Sequence, residues 1–160
     1  MKPSSSRVKR FTAMTLLPPD FKDFLRLLNS HGVEYLLVGG YAVGYHGYPR
    51  ATADMDLWIA MNGPNAQKVT EVLREFGFEP PELQPGLFLE KDKVIRMGVP
   101  PLRIKILTTL SGVEFDVCYS RREVVDLDGV EVNMIGLDDL KVNKRAAGRH
   151  QDLNDLEHLP

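Results

Sequence analysis

The chain has 160 residues, 43% hydrophobic and 26% charged, a balance that predicts one soluble globular domain with a single core. A formal net charge of -2 excludes a protein that coats nucleic acid by bulk positive charge, although 20 Lys and Arg leave room for a local basic face. Cys118 is the single cysteine, which excludes an internal disulfide and a cysteine metal cluster and fits a reducing, cytoplasmic setting.

Residues 1–17 open on the basic, Ser-rich MKPSSSRVKR and lack the apolar run of a signal peptide, so they are expected to be a flexible segment ahead of a domain over 18–160. No stretch approaches the roughly eighteen apolar residues of a membrane span. Phe21, Phe24, Leu25 and Leu28 fall on one helical face after Pro18 and Pro19, which predicts a helix over 19–30. A short strand over 33–38 then ends at Gly39-Gly40, and a short helix follows before Pro49.

Met55, Leu57 and Ile59 alternate with Asp54, Asp56 and Trp58, the period of a strand with one face on a core. Ala66, Val69, Val72, Leu73 and Phe76 define a second helix, closed by Gly77 and followed by a proline-broken loop. LRIKILT (102–108) and VEFDVCY (113–119) read as two strands joined at Ser111-Gly112, and Asp128-Gly129 marks a hairpin between 124–128 and 130–134. The chain closes with a basic helix up to Ala147, a break at Gly148 and further helix around 153–159. Together these elements predict an α+β fold, a mixed β-sheet covered by helices. A Rossmann domain is the competitor, but its glycine fingerprint is missing.

Residues two apart on a strand share a face, so Asp54 and Asp56 should present both carboxylates to one side. Two adjacent anions favour a shared proton or a bound cation, and hard oxygen ligands suit Mg²⁺ or Mn²⁺ held jointly with phosphates. If the strand carrying Asp116 lay beside that pair, three carboxylates would converge, enough for two metal ions and phosphoryl-transfer chemistry, with Asp116 as an alternative general base. The bland readings are a solvated strand face for the pair and a turn for the glycines.

A glycine pair before a short helix, two alternating acids on a strand and a later acid on a strand resemble the nucleotidyltransferase superfamily that includes polymerase beta-like enzymes. The closest likeness is to small single-domain prokaryotic members, some resembling toxin-type nucleotidyltransferases. RATADMDL and KRAAGRHQDLNDLEHL add to it, and the likeness runs from about residue 20 to the end, weakest over 80–101. The resemblance implies Mg²⁺-dependent transfer of a nucleoside monophosphate from a nucleoside triphosphate to a hydroxyl acceptor, with loss of pyrophosphate.

It also implies that Gly39 and Gly40 admit the triphosphate and that Asp54, Asp56 and Asp116 hold the metals. Arg50 is read as a phosphate contact or a local salt bridge, and Thr52 as a nucleotide contact or a turn hydrogen bond. Lys144 reaches phosphate or water from its helix, and Asp152 and Asp155 cap the helix or pair with Arg149. His46 is read as a pocket or a packed histidine. The acceptor, whether an RNA end, a protein side chain or a small molecule, is left open, as is a homodimer or a partner protein of a toxin–antitoxin kind. Residues 80–98 are expected to set acceptor choice. The rival readings are a DxD glycosyltransferase, which leaves Asp116 without a task, and a catalytically silent nucleotide-binding component of a two-protein system.

Overall fold

Phe21, Phe24, Leu25 and Leu28 are buried along one side of α1 (Pro19–Ser30), which follows the short strand β1 (Lys9–Arg10). The computed structural model describes residues 9–10, 17–98 and 102–160, so the expectation for residues 1–17 falls almost wholly outside it. Strand β2 (Tyr35–Val38) is buried at every position and passes directly into α2 (Gly39–Tyr45). Strand β3 (Asp54–Ile59) follows, with Met55 and Leu57 fully buried and Asp54 and Asp56 on the alternate face.

Helix α3 (Gly63–Phe76) starts where the Asn62 side chain accepts a hydrogen bond from the Asn65 N–H and ends at Gly77, whose φ of 96° is the left-handed stop that glycine favours. A 3₁₀ turn (Pro85–Leu89) then precedes β4 (Val94–Met97) and β5 (Arg103–Leu107). After α4 (Phe115–Ser120), the hairpin β6 (Glu123–Leu127) and β7 (Val130–Met134) turns at Asp128-Gly129, both with positive φ as a tight hairpin requires. Helices α5 (Leu137–Ala147) and α6 (His150–His158), hinged at Gly148, complete the chain.

The strands form one mixed sheet in the order β1-β6-β7-β2-β3-β5-β4. Strand β3 is antiparallel to β2 on one side and parallel to β5 on the other, so both of its edges are filled. The apolar residues of β3, β4 and β5 belong to a core shared with α1 and α3, where the Phe24 and Phe76 rings meet edge to face at 5.1 Å. Burying that face leaves the polar residues of the same strands on the opposite side of the sheet. Among the described residues no helix is long and apolar enough to cross a membrane.

One expected element is corrected. Residues 113–119 do not make a strand: Phe115, Cys118 and Tyr119 line one side of α4, with the Phe115 and Tyr119 rings stacked at 5.2 Å. Aromatic and β-branched residues favour strands only where an edge is open, and β5 already fills the place beside β3. Strand β4, to which the sequence reading assigns no element, has Ile95 and Met97 buried and paired along β5.

Candidate functional site

Register across the sheet places the polar side chains of three strands in rows. Asp54 stands opposite Arg103 and Asp56 opposite Lys105, while Lys105 is in turn opposite Arg96 of β4. Paired residues of adjacent strands point to the same face, so Asp56, Lys105 and Arg96 form one row across the sheet. The next row along is Trp58, Leu107 and Val94, which is apolar.

Gly39 and Gly40 owe their presence to these side chains. A Cβ on Gly39 would collide with the Asp56 carboxylate, and Gly39 also carries a φ of 67°. A Cβ on Gly40 would lie 2.6 Å from the Thr52 Oγ1. The pair therefore brings the start of α2 against β3 and its approach. Thr52 makes the turn hydrogen bond, its hydroxyl donating to the Asp54 carbonyl at 3.2 Å.

The two aspartates have different surroundings. Burial alone would raise the Asp54 carboxyl, but hydrogen bonds from Lys105 and Arg103 outweigh it and hold Asp54 below the ordinary carboxylate range. Lys105 Nζ is 3.0 Å from Asp54 Oδ2, and Arg103 Nε is 3.3 Å from Oδ1. Asp56 moves the other way: burial raises it, with Lys105 opposing. Its Oδ1 is buried and has no hydrogen-bond partner among the described residues. A buried carboxylate oxygen without a donor calls for a proton or a cation.

This face forms the floor of a cleft of about 660 Å³, walled by the start of α2, the β2–β3 connection, β4, β5 and the α5–α6 junction. Gly39, Gly40, Arg50, Thr52, Asp54, Asp56 and Lys144 all line it. Its basic members Arg50, Arg96, Lys105, Lys144 and Arg149 outnumber Asp54, Asp56 and Asp152, so the cleft carries a positive excess in a chain of net charge -2. Such a concave cationic lining concentrates anions.

Part of that charge is already committed to the fold. Lys144, only 5% exposed, lies 3.1 Å from both Asp152 Oδ1 and Asp155 Oδ2. Arg50 grips Asp155 with Nε at 2.8 Å and Nη2 at 3.0 Å, and Arg149 pairs with Asp152 at 2.7 Å. Arg50 thus forms no local salt bridge with the nearby Asp54 but a long-range one with Asp155, while the capping reading of Asp152 describes the contact formed. His46, 6% exposed at its side chain, lies 2.6 Å from the Ile135 carbonyl and is a packed histidine outside the cleft.

Asp116 is not brought to the pair. It sits in the first turn of α4 and lines a separate cavity of about 520 Å³ with Trp58, Phe115 and Glu114. The two hollows share Thr109 and Leu110. Among the described residues no group of three or more His, Cys, Asp or Glu is placed to hold a metal ion. Of the three aspartates expected to hold metal, Asp54 and Asp56 line the cleft and Asp116 does not. The sequence reading missed Arg103 and Lys105, although the alternation in RIKIL assigns both to the face opposite Ile104 and Ile106.

Neither a family model nor a curated protein sequence matches the chain. Among solved structures, a nucleotidyltransferase candidate from Thermotoga maritima superposes over 92% of this chain and 96% of its own, with a TM-score of 0.61 at 14% identity. The lincosamide antibiotic adenylyltransferase LnuA in its lincomycin-bound form covers 89% of this chain and 96% of its own (TM-score 0.54, 13% identity). An antigenic nucleotidyltransferase-like protein from Paracoccidioides brasiliensis covers 86% of this chain and 72% of its own (TM-score 0.52, 16% identity). At these identities the likeness concerns architecture: the chain has a nucleotidyltransferase-like α+β fold, with its cationic cleft over the Asp54–Asp56 strand.

Proposed function

We propose that the cleft binds a nucleoside triphosphate and transfers its nucleoside monophosphate to a hydroxyl acceptor. The acceptor oxygen bonds to the α-phosphorus as the bond to pyrophosphate breaks, and the hydroxyl proton leaves to solvent. One observation carries this reading: Asp56, with its unpartnered buried oxygen, lies in a cleft whose other charged groups are mostly cations. Arg96, Lys105 and Arg149 are disposed to meet the phosphates, and Gly39 and Gly40 keep the wall beside Asp56 free of side chains. Asp54 and Asp56 would hold one Mg²⁺ or Mn²⁺, which when bound withdraws charge from the triphosphate.

The acceptor would enter from the cavity beyond Thr109 and Leu110. Asp54, Asp56 and Trp58 lie in line on β3, with about 7 Å between successive members, so a molecule resting on Trp58 and Phe115 has a hydroxyl within reach of the Asp56 end of the cleft. Asp116 and Glu114 then serve the acceptor rather than a metal. The fold accommodates a small-molecule acceptor in the lincomycin-bound adenylyltransferase, which favours a small molecule over an RNA end or a protein side chain here. Incubation with α-labelled nucleoside triphosphates, Mg²⁺ and a cell extract is expected to place label on an acceptor. Asp56→Asn is expected to abolish the labelling, and no label in any fraction from folded protein would rule out transfer.

A second reading is favoured by a specific observation. Lys105 places an ammonium against Asp54 on the strand where a third carboxylate would serve a two-metal site, which suits a protein that binds nucleotide without transferring it. Specific nucleotide binding with no labelled product is its signature.

A further inference from the structure

We infer that Lys105 does the work of a bound cation in holding the triphosphate, so that the nucleotide binds this cleft without a divalent metal. The inference rests on the reading of the cleft as a triphosphate site and adds which group neutralises the phosphates there.

The sheet fixes the position of Lys105. It lies on β5, in register between Asp56 on β3 and Arg96 on β4, and all three line the cleft. The two other residues of β5 on that face are Arg103 and Leu107, so this strand brings no carboxylate to the site. With Nζ 3.0 Å from Asp54 Oδ2, the ammonium stands beside the carboxylate pair, on the residue opposite Asp56.

Charge and donor count agree with that position. Asp54 already has Arg103 and Lys105 as counterions, so this carboxylate does not need a metal for neutralisation. An ammonium has three N–H donors. One serves Asp54, which leaves others for phosphate oxygens entering over β5. Arg96 extends the same row and Arg149 stands on the opposite wall, so cations flank the path that a triphosphate would take.

A purely structural role explains Lys105 poorly. The Lys105 and Asp54 side chains are 24% and 22% exposed, and part-exposed ion pairs add little to stability. Lys144, by contrast, is enclosed by Asp152 and Asp155 and accounts for its own burial. A lysine left part-open at the centre of an anion-attracting cleft is placed for a ligand.

The test is equilibrium binding of a non-hydrolysable ATP analogue to the full chain, with Mg²⁺ or with EDTA. The wild-type Kd should change by less than about threefold between the two, well under the tenfold that marks one strong interaction. Lys105→Met should weaken binding in EDTA by roughly tenfold or more, the scale of one charge-assisted hydrogen bond, while Lys105→Arg retains it. Lys105→Asp should make binding depend on Mg²⁺. Melting curves of each variant separate these effects from loss of fold, since a structural lysine would shift the melting temperature without altering the response to EDTA. Wild-type binding that needs Mg²⁺, or Lys105→Met binding as tightly as wild type in EDTA, overturns the inference while leaving the cleft as the nucleotide site. Absence of binding to folded protein in both conditions rejects the site and the inference together.

Discussion

The glycine pair shows how a small residue serves a polar site. Gly40 has no room for a methyl group, because its Cβ would lie 2.6 Å from Thr52 Oγ1 and 2.7 Å from Thr52 Cβ. Gly40→Ala is expected to cost about 1–3 kcal/mol in urea unfolding, the usual range for overpacking. Thr52→Gly in the same chain should recover part of that loss, and a strictly additive pair would contradict the contact. Asp54→Asn with Asp56→Asn removes charge but little volume, so the fold should persist. Calorimetric titration of that double variant should still show triphosphate binding, while Mg²⁺-dependent labelling of an acceptor should be lost; labelling equal to wild type would remove these residues from the metal site. The sequence made the two carboxylates legible because alternation is visible in a single strand. It did not show that Lys105 stands opposite Asp56, because register between distant strands depends on which edges pair.

Among the elements, α5 and α6 join through buried ions. Lys144 lies between Asp152 and Asp155, and Arg50 reaches from the β2–β3 connection to the same Asp155. The network braces one wall of the cleft. Asp155→Asn leaves Lys144 and Arg50 short of a counterion and should destabilise by about 3–5 kcal/mol, measured by urea unfolding. Burial would raise the Asp155 carboxyl, but hydrogen bonds from Arg50, Lys144 and Gln151 prevail and lower it. Asp152 is lowered likewise against burial, by Arg149 and Lys144. Groups depressed in the folded state contribute stability that is complete above the unfolded carboxyl value near 3.9 and disappears as pH falls through the lower folded values. Wild-type stability should therefore fall as pH drops below about 4. Asp155→Asn should fall less steeply over that range, and equal acid slopes would show that Asp155 is not part of the effect.

The same scale explains why some elements were legible and others not. Helices α1 and α3 carry clear apolar faces, and the β6–β7 hairpin has its Asp-Gly turn. Helix α4 was misread because FDVCYS is short and rich in strand-favouring residues, while its helical face depends on Phe115, Cys118 and Tyr119 packing inward together. Strand β4 is short and lies at the sheet edge, where only two of its residues are buried to signal a period.

At the scale of the molecule, the α+β class follows from helices between strands in the first half and closely spaced strands in the second. The order of the sheet does not follow in the same way. Placing β5 beside β3 required an intervening helix and a crossover, and that placement decides the chemistry of the cleft by bringing Lys105 in and leaving Asp116 in the neighbouring cavity. A nucleoside triphosphate is expected to bind over Asp54, Asp56 and Lys105, and a crystal structure of the chain with a non-hydrolysable triphosphate and Mg²⁺ decides this. Phosphate density is expected between the start of α2 and β5, within hydrogen-bonding distance of Lys105; nucleotide bound elsewhere, with this cleft holding only solvent, would remove the cleft as the triphosphate site.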